Sequence, residues 1–227
     1  MPSNNLTLHE EYKDYVLYAL PLVVLITNRI PFVGKFLRII NTLIHESGHA
    51  LLALLTRGEV YEIELFGDRS GAATVKTKGK LSFFLVSLAG YVVGSAFAYL
   101  MFYLISLGKY DMVIYVVVII ALLDLTFLIR NTYGLFWIII FIVLLILARF
   151  YLNDFFKFVF TAWISAVMLF EAFYSSVELV IIASRKPKSA GDAAMLAKTT
   201  GIPALIWAVF FVLLSGFFIY LTVRLFF

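Results

Sequence analysis

The chain has 227 residues, of which 63% are hydrophobic and 14% charged, a balance that no soluble core could absorb and that places it in a membrane. It contains no Cys, which excludes disulfides and thiolate ligands, so any metal must be held by His and carboxylates. The net charge of +4 suits loops lying against anionic lipid, whereas no loop joins a long basic run to aromatics, which argues against nucleic acid as a partner.

Met1 to Asp14 is polar and mixed in charge. With no basic run, short apolar core and small-residue cleavage site, it reads as a tail (residues 1–14) and predicts no removable signal peptide. Apolar segments follow at about Tyr15 to Ile30, Phe36 to Leu55, Leu81 to Leu107, Met112 to Ile129, Tyr133 to Ala148, Phe158 to Ala183 and Ile202 to Val223. Most approach the ~20 residues a spanning helix needs. The expected fold is therefore an all-α polytopic membrane protein of six or seven transmembrane helices, a single domain over residues 1–227, with membrane lipid around it. If all seven are spans, the loops on the N-terminal side carry more Lys and Arg, among them Arg57, Arg69, Lys76, Lys78 and Lys80, which orients the N-terminus to the cytoplasm.

The second apolar segment contains His45-Glu46-Ser47-Gly48-His49. Residues four apart on a helix face the same way, so His45 and His49 can hold one zinc ion with Glu46 beside them to activate a water, the chemistry of hydrolysis. A charged group at mid-bilayer costs about 2.5–3.5 kcal/mol on insertion scales. Three adjoining ionisable residues need a shared reason, and a cation that takes neutral imidazole and reverses the penalty for an anion supplies it.

Glu59 to Phe66 then alternates with a period of two, Val60, Glu62 and Glu64 against Tyr61, Ile63 and Leu65. Gly67 to Gly71 is a turn, and Ala73 to Lys78 alternates again, which predicts a β-hairpin over 59–79 directly after the zinc-motif helix. It reads as a solvated connector, or as an edge strand that aligns an unwound peptide by backbone hydrogen bonds. In the third apolar segment, Gly90, Gly94, Ser95 and Ala98 share a face where helices can approach closely.

These motifs together resemble the site-2 protease type of intramembrane zinc metalloprotease, in its B-like branch. Asn41 to Ala50, the hairpin ending in Ser70-Gly71, and Leu88-Ala89-Gly90-Tyr91 follow the branch in order and spacing. So do Tyr174-Ser175 with Glu178, and Gly191-Asp192-Ala193-Ala194 with Thr200-Gly201-Ile202-Pro203. The resemblance implies a zinc-dependent endopeptidase acting on membrane-spanning or membrane-adjacent segments of other proteins, in a membrane of the prokaryotic cytoplasmic type. The alternative it leaves is an inactive relative, or another metal-binding membrane protein, that binds a client without cutting it. Nothing in the pattern sets an oligomeric state.

A hydrolytic zinc needs a third protein ligand and an open position. Asp192 is the first candidate, because it opens a helical segment after a flexible basic loop, as the ligand-bearing Asp of the family does; an Asp there is also a routine N-cap. Glu178 is the second, lying about five residues from the basic end of its span, roughly 8 Å deep at ~1.5 Å per residue. His9 sits in the polar tail and is most simply solvated. Asp124 is intramembrane and needs a partner, for which Arg130 or a water path is expected. Pro203 after Gly201 predicts a break before the last span, one that should be buried beside the site.

Overall fold

The structure, a computed structural model, describes the backbone from residue 4 to residue 227 and side chains from Tyr12 onward; residues 1–3 and the side chain of His9 lie outside the described residues. Helix α1 (Asn4–Thr27) takes in most of the polar N-terminal stretch, and α2 (Pro31–Leu55) carries the HExxH sequence. Strands β1 (Glu59–Leu65) and β2 (Gly71–Lys76) follow, then α3 (Gly79–Ser106), α4 (Tyr110–Leu123), α5 (Thr132–Tyr151), α6 (Asp154–Arg185), the short α7 (Gly191–Thr200) and α8 (Ala204–Val223). This is the expected all-α polytopic fold with its hairpin.

The span count comes out at or below the low end of the six or seven expected. Among the described residues, five helices are long and apolar enough to cross a membrane, and the count reaches six if α1 and α2, bent by 114° at a short break, form one span. Two local features make that break. Ile30 is extended, as a residue before proline must be, and Pro31 sits at the start of α2 where its missing N–H costs nothing. The break is also anchored inward: Asn28 Nδ2 donates to Glu171 Oε1 on α6 (3.2 Å), and Arg38 Nη2 donates to the Asn28 carbonyl (2.9 Å). The comparison of Lys and Arg on the two sides presupposed seven spans and does not carry over.

Helix α3 packs against α2, α6 and α8 and is the centre of the bundle. Without a hydrophobic drive between helices in lipid, close packing holds such a bundle together, and small residues allow it. A Cβ on Gly48 of α2 would lie 2.9 Å from Val93 Cβ and 3.2 Å from the Ala89 carbonyl of α3. The backbone of α3 approaches α2 just as closely at Gly90, described below with the site. A second apolar cluster, with Leu179, Leu196, Ala208 and Phe211, seats α7 against α3 and α8, with a smaller contact to α6.

The hairpin is antiparallel, with a bulge between Val60 and Glu62. That bulge breaks one detail of the alternation: Ile63 and Leu65 are buried, whereas Tyr61, which strict alternation groups with them, is 53% exposed because the extra residue turns it away. Helix α4 closes in a π-turn, Asp124–Leu128, and the chain then runs extended past β1. Ile129 bridges to Ile63 in parallel, Arg130 N–H donates to the Ile63 carbonyl (3.4 Å), and the Asn131 side chain bonds both backbone groups of Leu65 (3.1 and 2.6 Å). The outer edge of β1 is thus covered.

The break before α8 differs from expectation. Gly201 ends α7 in the left-handed region (φ 77°), but Gly201, Ile202 and Pro203 are exposed and not packed beside the site. Local partners make burial unnecessary: Gly201 N–H donates to the Ala197 carbonyl (2.8 Å) and Ile202 N–H to Thr200 Oγ1 (3.2 Å).

Candidate metal centre

His45, Glu46 and His49 lie on one face of α2, because the intervening three residues complete a helical turn. His45 Nε2 and His49 Nε2 are 3.1 Å apart. From the far end of the chain, Asp192 Oδ2 comes within 3.2 Å of the first and 3.3 Å of the second. A tetrahedral ion with bonds of ~2.0–2.1 Å separates its ligand atoms by roughly 3.3 Å, so this triangle fits a zinc-sized ion with its fourth position open.

Each donor is held by its surroundings. His49 Nδ1 donates to the Val86 carbonyl of α3 (2.7 Å), which fixes the tautomer and leaves the Nε2 lone pair facing the triangle. His45 packs edge-on against Tyr91, ring centroids 4.8 Å apart. Gly90 makes room for both rings: a Cβ there would collide with the His45 ring and sit 2.6 Å from His49 Nε2. Asp192 is in the first turn of α7, where Gly191 adopts φ +40° and Ala190 is the N-cap without any side-chain cap bond. Its carboxylate therefore faces the imidazoles and caps nothing.

Glu46 is 7% exposed and points toward the start of β2, where a Cβ on Gly71 would be 3.0 Å from Glu46 Cγ and 2.6 Å from Thr42 Cγ2. The glycine thus lets the strand lie directly over the carboxylate. A cavity of about 460 Å³ opens between His45, Glu46, His49, Asp192, Tyr91 and the β2 residues Gly71 to Ala73.

The other candidates are elsewhere. Glu178 turns to Arg69 of the hairpin turn (3.6 Å), and only His45, His49 and Asp192 form a group of metal-binding type among the described residues. Asp124 takes a hydrogen bond from Ser47 Oγ (2.6 Å), while the expected partner Arg130 donates to the Ile129 and Phe127 carbonyls. Several contacts have no signal in sequence: the Val86 carbonyl is a backbone group, and Thr42 Oγ1, which holds the hairpin by donating to the Arg69 carbonyl (2.8 Å), looks like any helix threonine.

The model of the Peptidase M50B-like family matches residues 15–222. Searches of curated proteins and of solved structures gave no match. The match spans the spanning helices, the hairpin and α7 alike, and the chain belongs to the M50B-like peptidases, the B-like branch of the site-2 protease type of membrane metallopeptidase.

Proposed function

We propose that the protein is a zinc-dependent intramembrane endopeptidase that cleaves membrane-spanning or membrane-adjacent segments of other proteins, working as a single unit in a membrane of the prokaryotic cytoplasmic type. The observation that carries this reading is the triangle of His45 Nε2, His49 Nε2 and Asp192 Oδ2, 3.1–3.3 Å on a side, with Glu46 next to it in the same cavity. Bound there, zinc supplies Lewis acidity and makes a water acidic enough to act as nucleophile near neutral pH.

The protein's own groups do the rest. Glu46 takes the proton of the attacking water and returns it to the amine as the C–N bond breaks, so the carboxylate is regenerated. The substrate must be extended at the cut, because a helical peptide hides its carbonyls. With β1 covered on its outer side, β2 is the edge that lacks a strand partner among the described residues, and Gly71, Ala72, Ala73 and Val75 line the cavity. An unwound segment laid along that edge gains backbone hydrogen bonds with its carbonyls over the site.

The test uses zinc-loaded protein in detergent and a panel of single-span peptides, with products read by mass spectrometry. The wild type should cut, and Glu46→Gln should keep its zinc and cut nothing. Equal cleavage by both removes Glu46 from the mechanism. Full zinc retention without cleavage by the wild type favours a relative that binds clients and leaves them intact.

A further inference from the structure

The mechanism above leaves the scissile carbonyl oxygen without a protein donor. As water adds to the carbon, the C=O π pair moves onto that oxygen, and enzymes that accelerate such steps aim a preorganised N–H or O–H at the charge. Tyr91 has the chemistry and the position to do so. It lines the same cavity as Glu46 and Asp192.

Two contacts immobilise its ring. One face stacks on Phe211 of α8 (centroids 4.4 Å apart, 21° between planes), and the ring meets His45 edge to face at 89°. Its neighbour in sequence, Gly90, brings the backbone of α3 against both imidazoles, so Tyr91 starts from a point fixed relative to the triangle. The phenol hydroxyl, by contrast, makes no hydrogen bond to any described residue. A rigid ring with an unpaired hydroxyl, set in the wall of the cavity that also holds Glu46 and Asp192, is a donor held ready for a ligand.

We propose that Tyr91 is a further catalytic residue, donating its phenolic hydrogen bond to the carbonyl oxygen of the scissile peptide as negative charge develops there. The O–H bond stays intact throughout; the proton lost by water goes to Glu46 and then to the amine. The inference rests on the peptidase reading, and its test separates the two.

The decisive variant is Tyr91→Phe, which keeps the stacking on Phe211 and the contact with His45 and removes only the hydroxyl. On the peptide that the wild type cuts best, kcat should fall about 100-fold, as when one such donor is removed elsewhere, with KM and zinc content unchanged. A phosphinic analogue of the same cleavage site, tetrahedral and anionic like the transition state, should bind Tyr91→Phe more weakly by a comparable factor in calorimetry. Undiminished turnover and phosphinate affinity in the variant overturn the role of Tyr91 and leave the peptidase reading standing. Lost zinc or a raised KM as the source of the defect also overturns it, since the ring would then only position His45. A wild type that cuts nothing takes down the peptidase reading and this inference with it.

Discussion

Ser47 Oγ donates a 2.6 Å hydrogen bond to Asp124 Oδ2 and so ties the turn of α2 that carries Glu46 to the π-turn that closes α4. Asp124 is 4% exposed, so solvent has little access to replace this partner. Because Ile129, five residues on, bridges to β1, the same stretch of chain braces both α2 and the hairpin that overlies it. An intramembrane acid is usually suspected of function; here its partner gives it a structural one.

Ser47→Ala should therefore destabilise the protein by about 1–3 kcal/mol, the cost of leaving a buried polar group unpaired, and Asp124→Ala should act similarly while zinc stays bound. Thermal unfolding in detergent with metal analysis on the same samples checks both. Zinc loss in Asp124→Ala without any loss of stability would move Asp124 into the metal centre.

The metal centre itself predicts a ranking. His45→Ala, His49→Ala and Asp192→Ala each remove one corner of the triangle and should lose zinc to a competing chelator under conditions where the wild type retains it. Glu178→Ala removes only a partner of Arg69. Its zinc affinity should fall by no more than ~10–100-fold, the usual cost of an outer group. Asp192→Ala binding as well as wild type, with Glu178→Ala empty, would transfer the third corner to Glu178.

The contrast between these residues explains how much was legible beforehand. His45, Glu46 and His49 could be read because helical spacing alone puts them on one face, and the hairpin could be read because a period of two survives without any tertiary information. Tyr61 leaves the face that strict alternation shares among Tyr61, Ile63 and Leu65, because a bulge is a one-residue event that alternation does not reveal. The bend between α1 and α2 was missed since Pro31 permits it but Glu171, far along the chain, anchors it. Asp192 is nameable through family resemblance, yet its place beside His45 and His49 depends on how α7 seats against α3 and α8, which no local pattern encodes.

Gly90→Ala tests the close approach of α3 to the imidazoles. A Cβ at this position meets both His rings, and neither the backbone of α3 nor rings fixed by the Val86 carbonyl and by Tyr91 can give way cheaply. Zinc affinity should collapse, with only part of the loss traceable to stability, because the helix itself tolerates alanine. Gly216→Ala, where added Cβ meets nothing, is the control and should behave as wild type. Zinc content and unfolding temperature of the two variants decide the matter.

Glu171 is 4% exposed and gathers Asn28 at 3.2 Å, Arg38 at 3.3 Å and Arg69 at 3.6 Å. One carboxylate thus pins the bend between α1 and α2 and, through Arg69, the turn of the hairpin, to α6. Removing it leaves Arg38, 22% exposed, with only the Asn28 carbonyl as partner, and breaking such a partly buried pair costs about 3 kcal/mol, the low end for buried pairs. Arg69→Ala should cost less, about 1 kcal/mol, since its side chain is 30% exposed and its contacts are long. Glu171→Ala and Arg38→Ala should combine to much less than their sum, because the double variant no longer buries an unpaired charge. Unfolding measurements on the two single variants and the double variant check this. Strict additivity would mean that Glu171 acts through packing alone and that the bend is held by Pro31 without it.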